Sequence, residues 1–331
     1  MTIHDPSTHA LKGAWVGSIG VTTVTTINNK SLSRKNKLLR ELPLHVMLIP
    51  AVILVGIYSY GPMLGISIAF QKFVPTRGLF GSEWVGLQNF ATLFNLPNFW
   101  PVIRNTVFIA LAKMILGVLV PVVFALMLNE LSKPRFKRSV QTMAYLPNFL
   151  SWIILAGIFR DLLSPSSGVV SILLQGIGIK SPFFLGDKSW FPITMVVTEV
   201  WKGFGFGSVI YLAALTSIDP ALYESAMIDG AGRWKQTLHI TLPSISSTII
   251  LMTVLGMANI LNGGFDQIYN MYSPIVMETG DILDTFVFRL GIERAQFALS
   301  TAAGFFKSVV SFLFIVLSYY LADRSAGYRV F

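Results

Sequence analysis

Six long apolar stretches divide this chain, at residues 46–70, 106–128, 141–159, 191–217, 244–264 and 299–321. The first, third and fifth carry no charged residue. The second holds Lys113, the fourth Glu199 and Lys202, and the sixth Lys307. A helix needs about 20 apolar residues to cross a hydrocarbon core of about 30 Å, and all six stretches are near or above that length. The runs are continuous rather than alternating, which favours helices over the strands of a membrane barrel. The pattern predicts an all-α integral membrane protein with six transmembrane helices. A polar island at 218–243 separates the fourth and fifth stretches.

Composition agrees with that reading. The chain is 53% hydrophobic and 12% charged, about half the charge of an ordinary soluble domain. It has no cysteine, so disulfides, thiol catalysis and Cys-ligated metal sites are excluded. His4, His9, His45 and His239 are scattered without ligand spacing, and no metal is expected. The net charge of +9 raises nucleic acid as a partner, but in a membrane chain basic loops account for it and no nucleic acid is expected.

Those basic loops orient the spans. With the N-terminus inside, the inner connections carry 14 Lys and Arg, and the outer ones carry 8. The asymmetry places both termini and the 218–243 island in the cytoplasm. Residues 1–42 read as a polar cytoplasmic tail ending in a basic run, and residues 43–331 as one membrane domain. The first apolar stretch is too long and too late for a signal peptide. Pro50, Pro62, Pro121 and Pro147 lie inside apolar stretches, where membrane bundles tolerate kinks.

The island predicts an elbow. Asp219 can cap a helix whose first residue is Pro220. Residues 221–228 propagate it. Gly230 after Asp229 breaks it, because Gly readily takes positive φ. Residues 231–239 form a second short helix, and Pro243 follows at the entry to the fifth span. Two short helices joined at one Gly make a lever. Tyr223 and Met227 are its expected apolar anchors, and Glu224 its charge contact, in a cleft of a soluble partner. An ordinary amphipathic loop at the bilayer surface is the other physical reading.

The series Glu224, Ser225, Ala226, Asp229-Gly230-Ala231, Ile240, Leu242-Pro243 resembles the coupling loop of ABC importer permeases, with Ser225 in place of the usual Ala. Arg104-Asn105-Thr106, Tyr145-Leu146-Pro147 and Tyr211-Leu212-Ala213-Ala214-Leu215 resemble the maltose-type, carbohydrate-uptake branch. Gly81-Ser82-Glu83-Trp84-Val85-Gly86-Leu87, Phe265-Asp266-Gln267-Ile268-Tyr269 and Gly327-Tyr328-Arg329 are similar to permeases for complex oligosaccharides, including anionic, uronate-containing chains such as alginate and pectin fragments. The first 40 residues lie outside the resemblance. It implies a permease subunit in the cytoplasmic membrane, a second related permease and an extracytoplasmic solute-binding protein. It also implies two ATPase subunits, which would hold ATP and Mg.

The chain itself lacks the means to hydrolyse ATP. Gly304-Phe305-Phe306-Lys307-Ser308 lacks the spacing of a Walker loop. The glycines at 203, 205 and 207 suit close helix packing better than a dinucleotide loop. No cofactor and no catalytic residue are expected here. A stand-alone secondary transporter or channel is the competing class, though no repeated broken helix supports it.

Charges inside spans are costly, and usually face a cavity or a partner. Glu199 and Lys202 are three residues apart and close enough to pair. Lys113 and Lys307 fall in the outer parts of their spans, where they either snorkel or face a solute path. Three lysines in one chamber would suit an anionic saccharide. Trp201, Phe204, Phe206 and Tyr211 are candidate sugar-stacking residues or plain packing. Asn259, Asn262 and Gln267 could bond sugar hydroxyls or other helices. Residues 281–296 read as an outer amphipathic helix carrying Asp281, Asp284 and Glu293, a candidate docking face or a helix at the interface.

Overall fold

The computed structural model describes residues 34–257 and 260–326. Most of the N-terminal tail, Asn259 and the Gly327-Tyr328-Arg329 motif lie outside the described residues. The chain divides into two compact units at Gly61. In the first, α1 (Arg34–Val55) runs through Pro43 and Pro50 and passes into a π-helical turn, Gly56–Tyr60.

A 3-10 helix, Gly61–Phe70, leads into the second unit, which starts at Pro62. A small antiparallel hairpin follows, β1 (Gln71–Lys72) with β2 (Glu83–Trp84), enclosing α2 (Gly78–Gly81). Next come α3 (Gln88–Phe94) and the 31-residue α4 (Phe99–Asn129). After them stand α5 (Pro134–Tyr145), α6 (Trp152–Leu162), α7 (Val169–Gly176) and α8 (Trp190–Thr216). The elbow region comprises α9 (Pro220–Ile228), α10 (Arg233–Gln236) and α11 (Leu242–Ser244). The rest is α12 (Ser246–Met257), α13 (Phe265–Met271), α14 (Met277–Gly280), α15 (Leu283–Phe288) and α16 (Phe297–Ala326).

Long apolar sequences become helices here because a backbone in lipid must satisfy its own hydrogen bonds. Among the described residues, four helices are long and apolar enough to span: Glu41–Phe70, Phe99–Asn129, Trp190–Thr216 and Phe297–Tyr320. The third and fifth sequence stretches are not straight. Pro134–Phe149 and Trp152–Leu162 meet at 105°, and Arg233–Ser244 and Ser246–Met257 meet at 56°. The first break follows Pro147, where the chain leaves a 3-10 turn (Leu146–Phe149) and Ser151 caps the next helix by accepting a bond from the Ile154 amide. Counted as one span each, the bent pairs bring the total to six.

The long α4 lies along α8 and organises the packing. Its first part joins Phe99 and Val102 to Leu283, Phe286 and Ala302. Its middle puts Ile109 among Phe191, Met195 and Ile268. Its end sets Val122 and Ala125 against Tyr211, Leu215 and Ile245. Two glycines of α8 permit this closeness. A Cβ at Gly205 would lie 2.1 Å from the Ala144 carbonyl oxygen of α5, and one at Gly207 would lie 3.3 Å from Pro121 of α4. Packing, as expected, accounts for these two glycines.

Candidate functional site

The elbow is built by local bonds. An Asp219 carboxylate oxygen accepts the Ala221 amide at 2.9 Å, and Pro220 opens α9. The helix ends in a paired cap. Gly230 has φ +76° and donates to the Met227 carbonyl at 3.1 Å, and Ala231 donates to the Ala226 carbonyl at 2.8 Å. Such a cap requires a residue that tolerates the left-handed region. The second arm starts at Arg233, two residues later than the sequence suggests. It then runs through a π-helical turn, Thr237–Thr241, into α11.

The arms are braced against each other. The Tyr223 hydroxyl and the Thr241 hydroxyl share a hydrogen bond at 3.0 Å, and Gln236 Nε2 donates to the Ala231 carbonyl at 2.8 Å. Tyr223 is therefore turned inward, which corrects its expected role as an outward anchor. Ala226 and Ala231 are half-buried beside it, while Glu224, Met227, Asp229 and Gly230 are exposed. Ile228 at 87% and Trp234 at 75% exposure are the apolar tips of the elbow. Sequence reasoning passed over both because neither lies in the resemblance motif. Arg233 stands 3.5 Å from Glu130, at the end of α4. That pair is exposed and holds the elbow weakly.

The second set of residues forms a polar centre between the spans. Lys113 on α4 lies 3.6 Å from the Glu199 carboxylate on α8. It also donates to the Gly263 carbonyl at 2.7 Å and to Gln267 Oε1. Gln267 is fully buried, and its amide donates to the Met195 carbonyl and the Thr198 hydroxyl, each at 2.8 Å. Its bonds are internal, so it braces helices rather than facing a solute. Gly264, at φ +89°, makes the turn that brings Lys113 in. A Cβ there would stand 2.8 Å from the ammonium.

Lys307 on α16 approaches the same segment from another side. It donates to Asn262 Oδ1 at 2.8 Å and pairs with Asp284. Glu199 and Lys202 do not pair, contrary to expectation. On α8 the lysine instead lies over the Trp152 ring, 5.3 Å from its centroid. Glu199 turns to Lys113, which offers it a partner from the facing helix.

Two cavities border this centre. One of about 460 Å³ is lined by Lys113, Glu199, Tyr211, Asn262 and Gly264 together with apolar residues of α4 and α12. The other, about 450 Å³, is lined by Trp152, Glu199, Asn262, Phe265, Asp266 and Asp284, among others. Lys113, Glu199 and Asn262 thus line cavities, and Lys307 holds Asn262. Trp201 lines a separate apolar cavity of about 570 Å³ and meets Phe159 edge-on at 5.5 Å. Phe204 packs edge-on against Phe124 at 4.9 Å, and Phe206 packs against Tyr145 and Phe149. Trp201, Phe204 and Phe206 thus each meet an aromatic ring of another helix or turn. Trp152, Asp266 and Asp284 were missed as cavity residues. Their placement depends on turns far from the motifs.

The candidate outer docking face is also revised. Asp281 is buried and bonded by Arg289, with one contact at 3.2 Å, and by the Thr285 hydroxyl at 2.7 Å. Asp284 is engaged by Lys307. Of the three acids only Glu293 remains exposed. Asn105 and Thr106 tie α4 to this region. Asn105 Nδ2 donates to the Glu278 carbonyl at 2.8 Å, and the Thr106 hydroxyl accepts the Leu283 amide at 2.8 Å. That gives the Arg104-Asn105-Thr106 motif a structural task.

Known proteins align with this architecture. The family model for binding-protein-dependent transport system inner membrane components matches residues 117–326. The chain is 38% identical over 288 residues to the polygalacturonan/rhamnogalacturonan transport system permease protein YteP of Bacillus subtilis (strain 168), covering 87% of this chain and 90% of YteP. A crystal structure of a bacterial ABC transporter involved in the import of the acidic polysaccharide alginate contains a similar chain. The two share 37% identity and a TM-score of 0.82, over 88% of this chain and 99% of that one. A crystal structure of the bacterial alginate ABC transporter in complex with alginate pentasaccharide-bound periplasmic protein gives a TM-score of 0.80 at 37% identity, over 87% and 96% of the two chains. This chain belongs to the family of binding-protein-dependent transport system inner membrane components: it is an ABC importer permease, a transport subunit rather than an enzyme.

Proposed function

We propose that this permease carries acidic oligosaccharides, uronate chains among them, across the cytoplasmic membrane. The likeness to the alginate importer chain, 37% identical across nearly its whole length, carries this reading. The assembly we infer pairs this chain with a second related permease. Two ATPase subunits hold ATP and Mg, and an extracytoplasmic solute-binding protein delivers the saccharide. Residues 43–331 act as the membrane domain, with six spans when each bent pair counts once, behind a tail of residues 1–42. Both termini and the elbow face the cytoplasm, in line with the excess of basic residues in those connections.

In this reading, closure of the ATPase dimer on ATP pushes the elbow. Glu224, Met227, Asp229 and Gly230 present its outer surface, Ala226 and Ala231 its half-buried shoulder, and Tyr223 its brace. The push is carried through α11 to α12 and alters the polar centre. The cavities bordered by Lys113, Glu199 and Asn262, with Lys307 behind Asn262, form the solute path. Trp201, Lys202 and Phe204 support its walls from outside. Hydrolysis resets the state. A stand-alone channel or secondary transporter has no place for the elbow, and the family membership speaks against it.

The test is uptake by the intact complex in proteoliposomes loaded with ATP. Uronate oligosaccharides should be taken up and should stimulate ATP hydrolysis, while neutral chains of equal length should do neither. Preference for the neutral chains would overturn the substrate class. Uptake without any ATPase would overturn the importer reading.

A further inference from the structure

A cleft on α5 has no part in the elbow or the polar centre. It measures about 480 Å³ and is lined by Arg135, Arg138, Ser139, Thr142 and Met143. These residues fall at i, i+3, i+4, i+7 and i+8, so they share one side of the helix. All five are exposed. The other side, with Val140 and Ala144, turns toward α8. The Ser139 and Thr142 hydroxyls donate to carbonyls one turn back, at Arg135 and Arg138. Their oxygens and the two guanidinium groups remain directed outward. Neither arginine has an acidic partner among the described residues, unlike Lys113, Arg233, Arg289 and Lys307.

We propose that this cleft binds the phosphate headgroup of an anionic phospholipid. Two arginines one turn apart can chelate one phosphate through paired N–H donors. The surface beyond the cleft favours a lipid over a soluble acidic partner. Met143, Leu146 and Phe149 continue from it toward the 105° bend, each more than 60% exposed, with Phe206 beside them. Charge at one end and an uninterrupted apolar strip at the other match a headgroup with its acyl chain. Basic pockets at the membrane surface take anionic headgroups in this way. The site also lies next to the α4–α5 turn, where Glu130 meets Arg233 of the elbow.

The test is native mass spectrometry of the full-length chain, purified with the subunits that accompany it. The complex is released from phosphatidylcholine nanodiscs containing phosphatidylglycerol. The wild type should retain phosphatidylglycerol, with affinity falling about fivefold for each arginine lost in Arg135→Gln and Arg138→Gln. The double Arg→Lys variant should keep part of the binding, because Lys retains the charge without the fork. Lys180→Gln, at an exposed lysine between α7 and α8, should keep all of it. Inorganic phosphate should not displace the lipid, since it lacks the apolar half. Unchanged lipid retention in the double Gln variant overturns the proposal. Loss of ATPase subunits with lipid retention intact would assign the cleft to a soluble partner and overturn it equally. If the double Gln variant fails to insert, the Arg→Lys pair decides, and full retention there counts against chelation.

Discussion

At the elbow, the bracing bonds join residues no more than 18 positions apart, the longest being Tyr223 to Thr241. At the polar centre, Lys113 reaches across 150 positions to Gly263 and 154 to Gln267. The elbow carries its own shape and can move as a body when the helices around it shift. The polar centre exists only while α4, α8, α13 and α16 keep their relative places. A transmitter needs the first kind of construction, and a site that opens and closes needs the second.

The most severe way to break this contrast is Gly230→Pro. Proline fixes φ near −65° and removes the N–H that bonds Met227, so the +76° joint is lost at a cost of about 3 kcal/mol. Uptake should be abolished while membrane insertion and basal ATP hydrolysis persist. Normal uptake would mean that the joint transmits nothing.

Lys113→Met comes next and strikes the other region. It leaves the Gln267 and Gly263 oxygens and the Glu199 carboxylate without their donor. Glu199 keeps some contact with the cavity, so the expected loss is about 2–3 kcal/mol rather than the full penalty of a buried pair. Thermal unfolding of the purified complex should register it more strongly than Tyr223→Phe, whose lost bond lies within the elbow. The reverse ranking would dissolve the contrast.

Tyr223→Phe sharpens the comparison within the elbow. Loss of one hydroxyl bond should cost about 1 kcal/mol, lowering uptake per ATP hydrolysed without changing subunit assembly. An unchanged coupling ratio would show that the two arms need no brace.

The smallest effect concerns a pair outside both regions. The hydrogen bond and charge of Lys188 hold the exposed Glu278 carboxyl below its ordinary range. A carboxyl lowered in the folded state contributes stability above its unfolded pKa, and that contribution fades as pH falls through the folded value. A slight destabilisation at acid pH should therefore be present in the wild type and absent in Lys188→Met. Identical pH profiles would show that solvent screens the pair completely.

The sequence made the elbow largely legible because its signals are adjacent: Asp219 before Pro220, then Gly230 after a clean helical run. The inward turn of Tyr223 escaped, since its partner Thr241 sits in a π-helical turn that no local signal announces, as did the start of the second arm at Arg233 and the exposed Ile228 and Trp234. The four unbroken spans were legible from their apolar length, but not the 105° bend, which arises where Pro147 and the Ser151 cap together stop one helix and start another. The polar centre was half legible. Lys113, Glu199, Asn262 and Lys307 stand out as polar residues in apolar runs, yet their partners do not. Glu199 was assigned to Lys202 by spacing, and tertiary packing gave it Lys113 instead.

On the proposed path, the pairing of Lys113 with Glu199 and of Lys307 with Asp284 has a kinetic consequence. A wall of bare ammonium groups would trap a chain that bears a carboxylate on every ring. A wall whose charges already cancel offers such a chain no deep well, only exchangeable partners at successive positions. Passage depends on leaving as well as entering, and a neutralised wall favours short residence over tight capture.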